Sequence, residues 1–141
     1  MSEMSVVSLI ESNDSVSWRV AALIRSEGLA VEVFASAEEF ILSDQMRRTA
    51  CLVLDVQLPG MSGLQLKSHL AAAGSYIPTI FITTSADERA RALALQVGAL
   101  NVLDKASGDK ALLKEICLTL KPRESHKERP RSEPSPEKNR P

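Results

Sequence analysis

Five short apolar runs punctuate the chain, at Val6–Ile10, Ala30–Phe34, Ala50–Leu54, Thr79–Ile82 and Ala99–Leu103. Each is rich in Val, Ile, Leu or Phe. Several are apolar on both faces, the pattern of strands covered by helices on each side. Between them the apolar positions follow a helical stripe: Val16, Val20, Leu23 and Ile24, then Ala90, Leu93, Ala94 and Val97, then Leu112, Ile116 and Leu120. Three helix starts carry capping-box signals, Ser36 with Glu39, Ser62 with Gln65 and Ser85 with Glu88, in which each partner satisfies an orphan N–H of the other. Gly28, Gly74 and Gly98 stand where helices should stop. No internal repeat is present.

The pattern reads βαβαβαβαβα. Strict alternation with short connections predicts a parallel sheet with helices on both faces and right-handed crossovers. Five strands in this length point to the doubly wound, flavodoxin-like α/β order 2-1-3-4-5.

The pattern ends at Leu120. Residues 121–141 include five prolines and no hydrophobic residue, so they cannot offset their ordering entropy by burial and read as a disordered tail. Residues 1–120 form the domain. The tail holds seven Lys/Arg against four Glu, whereas residues 1–120 hold ten Lys/Arg against fourteen Asp/Glu. A basic tail could touch an acidic partner; a solvated terminus is the simpler reading.

Composition narrows the picture further. Aromatics make up only 4% of the chain, so the core must be aliphatic. A formal net charge of −1 argues against binding nucleic acid through bulk electrostatics. Cys51 and Cys117 sit in apolar surroundings without CxxC or Cys/His spacing, which supports neither a zinc site nor a redox motif. Two buried free thiols suggest a reducing compartment. The start of the chain has no basic segment and no apolar run is long enough to span a membrane, so a cytoplasmic location is expected.

In an open parallel sheet, chemistry gathers outside the carboxyl ends of the strands. Strand one delivers Glu11, Ser12, Asn13 and Asp14 there, strand three Asp55, strand four Thr83 and Thr84, and strand five Asp104 and Lys105. Carboxylates, a hydroxyl and an ammonium on one edge suit a phosphoryl group and a hard cation, since Mg²⁺ prefers a few carboxylate oxygens plus phosphate oxygens. Asp55 ends a run of Cys51, Leu52, Val53 and Leu54, where a carboxylate is costly to keep without a task. The plainer alternatives are that Lys105 only pairs with Asp55 or Asp104, that Thr84 is the better-placed hydroxyl, and that Glu11 and Asp14 are helix-entry acids. His69 and His126 are isolated and read as non-functional, and Trp18 is expected to cover an edge of the core.

Four stretches in order resemble the receiver domain of bacterial two-component response regulators, over about residues 5–120. Leu52 to Gly63, with Asp55 and the Pro59-Gly60 turn, looks like the phosphoacceptor strand and the capped third helix. Ile77 to Thr83 looks like strand four with its signalling threonine, and Gly98-Ala99 leading to Lys105 like strand five with its lysine. Ser36 to Phe40 is similar to a stretch common in receivers fused to helix-turn-helix output domains.

The resemblance implies a non-enzymatic signalling module in which Asp55 takes a phosphoryl group from a histidine kinase or phosphotransfer protein. Mg²⁺ would be held by Glu11, Asp55 and the backbone carbonyl of Gln57. Lys105 and Thr83 would bind phosphoryl oxygens, Gln57 and Ser85 would set the lifetime of the acyl phosphate, and Thr83 and Val102 would occupy the switch positions. Partners in the family, an output protein or domain or a second copy in a homodimer, read the face of helix four, strand five and helix five.

Three departures accompany it. Ser12 replaces the second acid of the usual pair, so Mg²⁺ should bind weakly. Val102 replaces the aromatic that swings inward, and a β-branched side chain has no ring to relocate. Ala106 follows Lys105 in place of a cis-proline, so the loop should be trans and Lys105 less tightly aimed. A degenerate receiver that binds a partner without phosphorylation is the alternative. An enzyme on a similar sheet fits poorly: a phosphatase of the dehalogenase type needs an acid where Gln57 stands, and a flavin protein needs a glycine loop where Glu11 to Asp14 stand.

Overall fold

The computed structural model describes residues 6–84, 88–105 and 109–120. Strands β1 (Val6–Ile10), β2 (Val31–Phe34), β3 (Thr49–Asp55), β4 (Thr79–Thr83) and β5 (Asn101–Asp104) alternate with helices α1 (Asp14–Ser26), α2 (Ala37–Ser43), α3 (Gly63–Ala72), α4 (Glu88–Gln96) and α5 (Asp109–Leu120). The sheet is parallel throughout, in the order β2-β1-β3-β4-β5. The sheet order and its five helices match the expectation from the sequence pattern.

Double-sided burial explains the apolar runs. β1 and β4 are buried at every position and β3 at nearly every one, while the edge strand β2 exposes Glu32 and Val33. One layer packs α1 and α5 on the sheet, with Val20, Ile24, Leu112 and Ile116 over Val7, Leu9, Val53 and Ile82. The other packs α2, α3 and α4, with Phe40, Leu66, Leu70 and Ala94 over Ile10, Leu52, Leu54 and Phe81. Each such side chain, once buried, contributes about 1.5–3 kcal/mol, which fixes the register wherever both faces are covered.

The punctuation behaves mostly as expected. Ser62 and Gln65 form the full reciprocal cap of α3. Ser36 accepts from the Glu39 N–H at 3.1 Å, but the Glu39 carboxylate reaches one residue further back, to the Ala35 N–H. The Ser85 signal lies outside the described residues, as do the tail, His126 and the Lys105–Ala106 peptide. Gly74 closes α3 at φ +80°, where its N–H meets Ala71 O at 3.0 Å and the Ser75 N–H meets Leu70 O at 2.8 Å. A side chain would strain that left-handed turn.

Two expectations fail. Trp18 does not cover the core; it is 78% exposed. It lies two residues from both Val16 and Val20, about 200° around the helix from each, and so on the opposite face from the apolar stripe. Cys117 is only half-buried, because it sits one step around α5 from the fully buried Ile116. Cys51 is buried, and burial, with Glu115 adding, pushes its thiol up to about 12, so it stays protonated and inert. Among the described residues, no helix is long and apolar enough to cross a membrane.

Candidate functional site

The carboxyl ends of β1, β3 and β5 converge through the parallel register. Ile10 pairs with Leu54, Asp55 with Ile82, and Thr83 with Asp104, so the residues just beyond each strand share one edge. Glu11 still holds the ladder, donating its N–H to Phe34 O at 3.0 Å, and its side chain is fully enclosed. The Lys105 N–H donates to Thr83 O at 2.8 Å, which seats the lysine beside β4.

Three charges meet there. Lys105 Nζ donates to Asp55 Oδ2 at 2.9 Å and lies 2.8 Å from Glu11 Oε1. The other Asp55 oxygen accepts from the Gln57 N–H at 3.0 Å, and Glu11 Oε2 accepts from the Asn13 N–H at 3.0 Å. All three side chains are almost wholly buried. Two carboxylates therefore share one ammonium in a weakly screening environment, and the cluster carries a net negative charge.

The titration directions follow. Burial raises the Glu11 carboxyl above its usual range and the Asp55 charge adds to this; Lys105 and the Asn13 N–H oppose it without cancelling it. For Lys105, burial alone would lower the ammonium, but the hydrogen bonds and charges of Glu11 and Asp55 win and hold it above its ordinary value.

The donor set fits a hard cation. Glu11 Oε1 is buried with the Lys105 ammonium 2.8 Å away, a contact that leaves lone pairs for a metal. Mg²⁺ needs only one or two carboxylates from a protein and keeps water on its other positions. Among the described residues no group of three or more His, Cys, Asp or Glu comes together, and Ser12 is exposed, so the protein's anionic contribution is Glu11 and Asp55.

The remaining candidates separate cleanly. Thr83 is buried at the end of β4, whereas Thr84 is exposed, so Thr83 is the hydroxyl built into the edge. Val102 is fully enclosed beside its register partner Phe81, in the layer that includes α4. Asp14 opens α1 on the exposed side, next to Trp18 and away from Lys105. Gln57 exposes its side chain and contributes its backbone to the site.

Two parts of the site have no local signal in the sequence. Arg19 of α1 donates to the Lys105 carbonyl at 3.3 Å and forms an ion pair with Asp109 of α5, so Lys105 and the start of α5 are both tied to α1. These partners stand 86 and 90 residues from Arg19, beyond any periodicity. Gly63 passes so close to β3 that an added Cβ would lie 2.1 Å from the Asp55 carbonyl oxygen. A glycine directly after the capping serine was visible, but its reason was not.

An open parallel sheet of flavodoxin-like order, with two acids and a lysine joined at its carboxyl edge, defines a small α/β module with a charged cluster at that edge. Residues 7–117 match the response regulator receiver domain, and the chain belongs to that family. It is 39% identical over 115 residues to nodulation protein W of Bradyrhizobium diazoefficiens, covering 82% of this chain and 51% of that protein. It is 35% identical over 117 residues to response regulator protein TodT of Pseudomonas putida, covering 83% and 52% respectively. Response regulator StyR superposes with a TM-score of 0.75 at 35% identity, over 82% of this chain and 59% of that one. The chain thus spans about half the length of the curated relatives it matches. Receiver domains are signalling domains that pair with histidine kinases and output domains, accept phosphoryl groups on aspartate and generally bind Mg²⁺ at an acidic pocket.

Proposed function

We propose that this chain accepts a phosphoryl group on Asp55 from a phosphohistidine donor and uses it to switch a protein-binding surface. The observation that carries this reading is the pinned carboxylate: one Asp55 oxygen on the Gln57 N–H, the other on the Lys105 ammonium. Both contacts aim the group and spread its charge. In the transfer an Asp55 oxygen bonds to phosphorus, the P–N bond breaks, and its electron pair leaves with the imidazole. Lys105 then exchanges its Asp55 contact for a phosphoryl oxygen, acting as a mobile point charge. Thr83 supplies its hydroxyl from the neighbouring strand end. Glu11, Asp55 and the Gln57 carbonyl are the groups that would hold Mg²⁺, which offsets the negative charge that accumulates on the phosphoryl oxygens.

The output belongs to the α4, β5 and α5 face, available to a partner protein, an output domain or a second copy, and these helices leave Leu93, Leu95 and Leu118 exposed. Enclosed Val102 cannot report by swinging a ring, so the loop after Thr83 carries the change. A cytoplasmic setting fits two free cysteines. The test is acetyl phosphate with Mg²⁺, read by intact mass. Wild-type protein should gain one phosphoryl group and Asp55→Asn none; equal labelling of both would remove Asp55 from this role.

A further inference from the structure

At the other end of the sheet, α3, the segment leading into β4 and the end of α4 flank an open groove of about 650 Å³. Its walls include Ala71, Ile77, Pro78, Val97 and Leu100, and no acidic side chain lines it. Lys67 of α3 lines it too, and this lysine is 94% buried, with 6% of its surface exposed. Its Cε passes Gly98 at ordinary contact distance, and its Nζ donates to Ile77 O at 2.6 Å.

That hydrogen bond looks at first like a strut, but it accounts for little of the ammonium. An ammonium has three N–H donors and a full positive charge. Ile77 O takes one donor and also accepts from the Thr79 hydroxyl at 2.8 Å. Among the described residues no carboxylate and no second acceptor meets Lys67 Nζ. Burial accordingly pushes this lysine below its ordinary pKa. A buried, uncompensated cation is costly unless a partner arrives from outside.

We propose that this groove binds a small carboxylate with an apolar body, its headgroup on Lys67 and its hydrocarbon against Ala71, Ile77, Val97 and Leu100. The volume falls within the roughly 300–1,000 Å³ of small-molecule sites, and an apolar lining with one fixed charge is their usual construction. The charge selects the class: one ammonium matches a monoanion, whereas a phosphate dianion demands several donors. The site uses none of the residues around Asp55, so it stands or falls apart from phosphorylation.

Octanoate, octanol and inorganic phosphate serve as probes of the isotope-labelled full chain by amide shifts. Octanoate should give saturable shifts confined to the groove, octanol should bind about tenfold more weakly because it lacks the charged hydrogen bond, and phosphate should give none. Lys67→Met keeps the stem and should erase the preference for octanoate over octanol. Ser68→Glu, at an exposed position on the rim, should weaken octanoate several-fold, and it decides the matter alone if Lys67→Met does not fold. Octanoate binding no better than octanol, shifts scattered over the surface, or a preference that survives Ser68→Glu would overturn the site.

Discussion

Two buried lysines at opposite ends of one sheet have opposite fates. Lys105, beyond β5, sits between Glu11 and Asp55 and is held above its ordinary pKa. Lys67, beside the start of β4, meets only a backbone carbonyl among the described residues and is pushed below it. Burial disfavours both ammoniums, so burial does not decide the outcome. Compensation does: two carboxylates within 3 Å outweigh desolvation, and one neutral acceptor does not. The Lys105 end is a satisfied charge cluster that can exchange partners, and the Lys67 end is a charge still lacking one.

The sharpest way to break this contrast is Lys105→Met. It leaves Glu11 and Asp55 enclosed without their cation, and at neutral pH the domain should lose about 3 kcal/mol in urea unfolding. The loss should shrink in mildly acidic buffer, because Glu11 protonates early and the repulsion fades. An unchanged gap between neutral and acidic pH would show that the two acids do not depend on Lys105.

Gly63→Ala comes next. Its Cβ cannot coexist with the Asp55 carbonyl oxygen, so β3 and α3 must separate, at a cost of roughly 2 kcal/mol. Phosphorylation by acetyl phosphate should fall with it.

Arg19→Ala tests the contact that ties the Lys105 carbonyl to α1. Its ion pair with Asp109 is half exposed, so stability should change by less than about 1 kcal/mol. The rate of Asp55 labelling should fall several-fold, and Arg19→Lys, which keeps the charge without the fork, should restore only part of it. A labelling rate that matches wild type would leave the Arg19 contact without a role in aiming Lys105.

The smallest effect lies in alkaline stability. Lys105 has a raised folded pKa, so its contribution is complete below the ordinary value of 10.5 and is lost as pH climbs through the folded value. Lys67 has a lowered folded pKa, so the unfolded chain binds more protons between that value and 10.5, and its contribution grows with pH there. Relative to wild type, Lys67→Met should therefore lose stability as pH rises through that window, and Lys105→Met should gain only above 10.5. Unfolding by urea across alkaline pH reads both slopes.

The architecture is legible in the order of residues alone. Apolar runs at Val6–Ile10 and Thr79–Ile82 could only be double-covered strands, and alternation with capped helical stripes left one sheet order with short right-handed crossovers. Residue order also determines which side chains reach the carboxyl edge, since Glu11, Asp55, Thr83 and Lys105 each follow or end a strand. These features repeat over 2 or 3.6 residues or sit at element ends, so they are local and legible. The remaining features involve atoms far apart in the chain and emerge only on packing. Trp18 faces solvent, Arg19 reaches Lys105, Gly63 makes room for the Asp55 carbonyl, and Lys67 turns inward to Ile77. None of these follows from composition or period, because each depends on which helix face meets which strand end once the layers have packed. A polar residue on a helix reads the same in sequence whether it points to water, clamps a distant loop or lies buried without a counter-charge.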